Sequence, residues 1–132
     1  HGDIVAPGAF TKTLAEHKAA GTRPALLWSH DPSEPIGVIE SLEEAPDGLR
    51  IKGRLADTTR ARDARALAKM GALGGLSIGF RTRKASTGPE GARVIEDLQL
   101  FEISFVATPA NPGARLATIK AADAVERADA PM

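Results

Sequence analysis

Apolar and polar positions alternate most regularly between residues 49 and 55. Leu49, Ile51, Gly53 and Leu55 take one side, and Arg50, Lys52 and Arg54 take the other. Successive side chains of a strand point to opposite faces, so this segment predicts a strand with one buried and one wet face. Ile36-Gly37-Val38-Ile39 predicts the start of a partner strand. The turn between them is Ala45-Pro46-Asp47-Gly48, where proline pre-sets φ and glycine tolerates a positive one. Upstream, the apolar run Ala25-Leu26-Leu27-Trp28 predicts a short buried strand. It leads into Ser29-His30-Asp31-Pro32, a strand end and turn, because Pro32 pushes Asp31 out of helical geometry. Downstream, a flexible Gly74-Gly75 link precedes a third alternation from Leu76 to Arg81. Residues 84–91 (KASTGPEG) predict a polar loop, and Val94 to Val106 predicts mostly strand with a bend near its middle. Thr108-Pro109-Ala110-Asn111-Pro112-Gly113 cannot continue a sheet.

Two segments carry helical spacing instead. Residues 7–21 have Pro7 for a first turn, Phe10 and Leu14 at i, i+4, and Gly21 for the end. Asp57-Thr58-Thr59 offers N-caps for a helix to about Met70, closed by Gly71. Its apolar stripe of Ala61, Ala64, Leu67 and Ala68 is thin, as on a surface helix. Strands outnumber helices and their links are short. The expected fold is therefore mainly β with surrounding helices, a closed or nearly closed antiparallel barrel. Residues 1–118 read as one domain, and 119–132 as a tail rich in alanine and charge, helical or disordered.

Composition narrows the chemistry. The chain has 132 residues, enough for one core. It has no cysteine, which removes a disulfide framework, a thiol nucleophile and a Cys-ligated zinc site. No apolar run approaches the roughly 20 residues of a membrane helix. The first residue is His1, so a processed or excised piece is expected, with a flanking strand as a candidate missing part. Net charge is zero but unevenly spread. Asp31, Glu34, Glu40, Glu43, Glu44 and Asp47 fall in a stretch without Lys or Arg, and residues 50–84 carry ten bases and only two acids, Asp57 and Asp63. Such asymmetry marks either a partner surface or two solvated faces. Nucleic acid is a weak candidate partner, because the basic stretch has only Phe80 for stacking.

Three residues could carry chemistry together. Ser77 lies in Gly75-Leu76-Ser77-Ile78-Gly79-Phe80, with small Gly79 beside it on its strand face, leaving room for a substrate. A hydroxyl needs a nearby base to act as a nucleophile. His30 is better placed for that than terminal His1 or His17, late in a surface helix. Glu102 lies in Phe101-Glu102-Ile103-Ser104-Phe105, where Phe101, Ile103 and Phe105 share one face and Glu102 and Ser104 the other. A carboxylate there must be solvated or paired, and an imidazole would satisfy it. Read alone, each has a plainer meaning: a serine on a wet strand, a histidine in a turn, a solvent-facing glutamate. No H-E-x-x-H, Walker A loop or dinucleotide fingerprint occurs, so no metal or cofactor is expected.

In order and wording, however, these segments resemble the prohead protease family of tailed bacteriophages and gene-transfer-agent-like elements. The matching phrases are residues 2–10 (GDIVAPGAF), Leu27-Trp28-Ser29-His30-Asp31 with Ile36-Gly37, Gly48-Leu49, Gly75 to Phe80, and Glu102 to Val106 with Pro109-Ala110-Asn111-Pro112. The resemblance implies a barrel like that of the herpesvirus assemblin proteases. It implies a serine endopeptidase with Ser77 as nucleophile, His30 as base and Glu102 as third member. It implies coat-protein extensions and scaffold segments as substrates, self-cleavage among them, and action inside the assembling procapsid in the bacterial host cytoplasm. A homodimer is known among the relatives. No oxyanion residue can be placed from it. The competing expectation is a non-catalytic assembly module of the same fold, docking coat or scaffold chains through its uneven charge.

Overall fold

The computed structural model describes residues 3–46, 48–107, 118–119 and 124–129. Its strands are β1 (Ile4–Val5), β2 (Ala25–Trp28), β3 (Asp31–Ala45), β4 (Gly48–Leu55), β5 (Gly75–Thr87), β6 (Arg93–Val106), β7 (Thr118–Ile119) and β8 (Ala124–Asp129). Helix α1 (Thr11–Ala20) lies between β1 and β2, and α2 (Thr59–Lys69) between β4 and β5. The described residues are mainly strand, so the mainly-β expectation holds, as a curled half-barrel.

The expected closed or nearly closed antiparallel barrel is seen only in part. The sheet order is β1-β6-β2-β3-β4-β8-β7, with β5 also on β6, and no described pairing closes it. Strands β1 and β2 both run parallel to β6, at Val94–Ile95 and at Glu102–Phe105 respectively. Short links between successive strands favour antiparallel neighbours, but these partners are far apart in sequence. Long β6 therefore acts as a spine, with β5 antiparallel on one side and β1 and β2 end to end on the other.

Other boundaries moved where a pairing partner extends the ladder. The polar stretch expected as a loop at 84–91 is strand as far as Thr87, because it pairs with Arg93 to Asp97. Its partners Val94 and Ile95 supply the order that its own composition lacks. Strand β3 begins at Asp31 rather than near Ile36. Gly75 is the first residue of β5 rather than part of a link. The tail expected as helical or disordered carries strand where it is described, β8 pairing antiparallel with β4. The turn expected at Thr108 to Gly113 lies outside the described residues.

One core joins sheet and helices. Leu26, Ile39, Ile51, Leu98, Leu100 and Phe105 are buried in it with Ala61 and Ala64 of α2. Strand β4 alternates as expected, Leu49, Ile51 and Leu55 inward and Arg50, Lys52 and Arg54 outward. The uneven charge also finds an internal account. Strands β3 and β4 are neighbours, Glu43 opposite Arg50, and Arg54 meets Glu40 at 2.9 Å. Arg60 of α2 meets Glu34 at 3.3 Å. The acidic and basic stretches thus face each other.

Helix α2 is capped as expected, the Thr58 hydroxyl accepting from Ala61 N–H at 3.3 Å. Helix α1 starts later than expected and has no side-chain cap of its own. Glu44 of β3 replaces one. Its carboxylate accepts from the N–H of Gly8 and Phe10 at 3.1 and 3.3 Å and from the Thr11 hydroxyl at 2.6 Å. A carboxylate at a helix N-terminus satisfies orphan donors and complements the dipole. Glu44→Ala is therefore expected to cost about 1–2 kcal/mol. Urea denaturation at neutral pH measures it, and an unchanged midpoint would contradict the cap.

Candidate active site

The site forms where β2 ends against β6. Trp28 of β2 pairs with Asp31 of β3, leaving Ser29 and His30 as a two-residue turn. Both have positive φ, 49° and 62°. That is the signature of a type I′ hairpin turn, which matches strand twist and favours Asn-Gly. Serine and histidine pay about 1–2 kcal/mol each for left-handed backbone. Strand β6 holds them there. Ser29 N–H donates to Phe105 C=O at 2.9 Å, and His30 N–H donates to Ser104 Oγ at 2.9 Å. Two such bonds at about 0.5–1.5 kcal/mol each are of the same size as the strain. Tertiary contact, not local preference, sets this turn.

A bulge in β6 aims the carboxylate. Gly79 pairs with Glu102 but Phe80 pairs with Leu100, so Phe101 has no partner. Phe101 was expected to share a face with Ile103 and Phe105. Instead it is 48% exposed, while Leu100 and Ile103 are both buried. The extra residue resets the alternation, a common use of bulges beside functional sites. Glu102 and Ser104 then share the face opposite the core.

On that face the rows across the sheet are Gly79–Glu102–Ala25 and Ser77–Ser104–Leu27. Glu102 therefore stands between a glycine and an alanine. The space beside Gly79, expected to admit substrate, is filled by Glu102: a Cβ at Gly79 would overlap its carboxylate.

The structure brings His30 and Glu102 together, His30 Nδ1 meeting Glu102 Oε1. The imidazole is partly exposed and the carboxylate mostly covered, 43% and 14%. An ionised carboxylate only accepts, so Nδ1 carries the proton and Nε2 keeps its lone pair. That tautomer can take a proton from a third group. Ser77, 7% exposed, is one strand away, directly opposite Ser104. Paired residues across strands have Cβ atoms about 4.5–5.5 Å apart. No hydrogen bond joins Ser77 to His30 among the described residues. Neighbouring Asp31 is occupied elsewhere, accepting from Ser33 N–H and Oγ–H at 2.9 and 2.6 Å. The Ser33 hydroxyl, then its amide, hold the Asp31 carboxyl below the usual carboxylate range. The Arg60 guanidinium lies 4.5 Å from the Trp28 ring centre and ties α2 to this hairpin.

His17 is spent on structure, one ring nitrogen meeting Thr22 Oγ1 at 2.8 Å and the other Leu100 C=O at 2.9 Å. His1 lies outside the described residues. Among the described residues no three His, Asp or Glu side chains gather as a metal site requires, and no helix is long and apolar enough to cross a membrane. Sequence reasoning placed Ser104 on the face of Glu102 but gave it no part. The i, i+2 spacing from Glu102 was the available signal.

A family model described as caudovirus prohead serine protease matches residues 1–128. The prohead protease of Enterobacteria phage HK97 is 35% identical over 130 residues, covering 95% of this chain and 56% of that protein. The capsid polyprotein of Pseudomonas phage PAJU2 is 32% identical over 114 residues, 78% of this chain and 17% of the polyprotein. The prohead protease of Escherichia phage T5 is 32% identical over 111 residues, 83% of this chain and 52% of that protein. The chain thus spans about half the length of the two prohead proteases. No solved structure matches.

Two substitutions test this geometry. Ser29→Gly removes left-handed strain at an exposed position and adds unfolded-state entropy, a net gain of about 0.5–1 kcal/mol. A lower denaturation midpoint would contradict the strained turn. Gly79→Ala is expected to displace the Glu102 carboxylate and abolish the slowly exchanging His30 Nδ1–H signal in proton NMR. A retained signal would show that the carboxylate does not need the glycine.

Proposed function

The chain belongs to the caudovirus prohead serine protease family, and on that premise we propose that it is the catalytic part of a serine endopeptidase acting in procapsid maturation. Ser77 is the nucleophile, His30 the general base and Glu102 the group that orients the base. The observation that carries this reading is the His30–Glu102 contact on the sheet face that bears Ser77. In substrate, His30 Nε2 takes the Ser77 hydroxyl proton as Oγ attacks the scissile carbonyl. Glu102 stabilises the imidazolium through Nδ1–H and does not itself take the proton. Backbone N–H groups near Ser77 or the Gly74-Gly75 segment steady the oxyanion. His30 then passes its proton to the leaving amine, and water hydrolyses the acyl-enzyme by the same route. The missing Ser77–His30 bond is compatible with this, since catalytic hydrogen bonds often tighten only with substrate.

The substrates in this reading are coat-protein extensions and scaffold segments, with self-cleavage as a further event. The place of action is the procapsid within the host cell, and a homodimer is one form the enzyme takes. The half-barrel is read as a variant of the assemblin barrel. The charge-driven docking module gains no support from the fold, because the acidic and basic stretches pair with each other.

The test is intact-mass analysis of the coat precursor co-expressed with the full-length protein, wild type against Ser77→Ala. Loss of cleavage by at least about a thousandfold is expected with the serine gone. Equal cleavage in both would overturn the assignment.

A further inference from the structure

We infer that Ser104 is a positioning residue that locks His30 and Glu102 into one unit, an inference that rests on reading those two as base and acid. Ser104 is fully buried, 0% exposed. Its hydroxyl proton goes to Glu102 Oε2 at 2.6 Å, and its oxygen accepts the His30 N–H at 2.9 Å. The hydroxyl's donor and one of its acceptor lone pairs therefore go to the catalytic pair. The two partners sit on different elements, His30 on the β2–β3 turn and Glu102 on β6. One oxygen atom thus fixes the backbone of the base and the far oxygen of the acid together.

Two consequences follow from this chemistry. With Oε2 held, the carboxylate cannot rotate freely, and Oε1 is presented to His30 Nδ1. The His30 N–H bond fixes the turn in the same way, so the ring stays against Oε1. Without Ser104 the carboxylate is free to turn away from Nδ1, and the imidazole loses its fixed tautomer. The other charged groups around the turn are Asp31 and Glu34 of β3 and Arg60 of α2. Asp31 is committed to Ser33, and Glu34 to Arg60. Glu102 is the charge that His30 contacts.

The experiment is Ser104→Ala in the full-length protein. Its readouts are the rate of fluorophosphonate labelling, the imidazole ¹⁵N shifts of His30, and urea denaturation. Labelling at neutral pH is expected to fall about ten- to a hundredfold, the range of one hydrogen bond to a charged group. The His30 shifts should change from a single Nδ1–H form to a mixture of tautomers. Lower stability with unmoved His30 shifts would overturn the inference and leave Ser104 a packing residue. If the wild type is not labelled at all, the protease reading fails, while the His30 shifts still report the hold of Ser104 on the pair. If the alanine variant does not fold, Ser104→Cys supplies the same comparison with a much weaker donor. Ser104→Thr, which keeps the hydroxyl, is expected to restore the wild-type labelling and His30 shifts.

Discussion

The site hangs on the contact between His30 and Glu102, and that contact depends on β2 running parallel to β6. The two residues are 72 apart in sequence. Parallel pairing of Ala25–Trp28 with Glu102–Phe105 carries the end of β2 along the strand that bears the carboxylate. The hairpin turn then doubles the chain back at His30. An antiparallel neighbour would deliver its turn to the other end of β6. The topology that departs most from the expected barrel is therefore what assembles the pair.

Backbone irregularities complete the arrangement. The Phe101 bulge lets Leu100 and Ile103 both reach the core while Glu102 faces away from it. The left-handed Ser29 and His30 would be unfavourable in an isolated hairpin, and β6 holds them through Phe105 and Ser104. Strain of this kind collects at functional sites because surrounding structure over-determines it. Glycine at position 79 belongs to the same design, since the carboxylate occupies the volume a side chain would need.

Much of this was legible in the sequence. Regular alternation marked β4, cap chemistry marked α2, and the three candidate residues fell on the elements expected for them. The failures share a cause: each depended on a distant partner. Residues 84–87 look like loop until Val94 and Ile95 are seen beside them. Nothing in Ser29-His30 signals a type I′ turn, because its usual Asn-Gly is absent and β6 enforces the geometry. Alternation also placed Phe101 on the face of Ile103 and Phe105, since periodicity cannot register one unpaired residue. For α1, the capping carboxylate came from Glu44, which no local pattern connects to residues 8–11.

The most direct measurement is a double-mutant cycle on the rate of fluorophosphonate labelling at Ser77, with His30→Ala, Glu102→Gln and the double variant. If Glu102 acts only through His30, the double variant labels as slowly as His30→Ala alone, because removing the proposed base already removes what the carboxylate supports. Losses that multiply independently would show that the two side chains do not work as a pair, and would contradict the site described here.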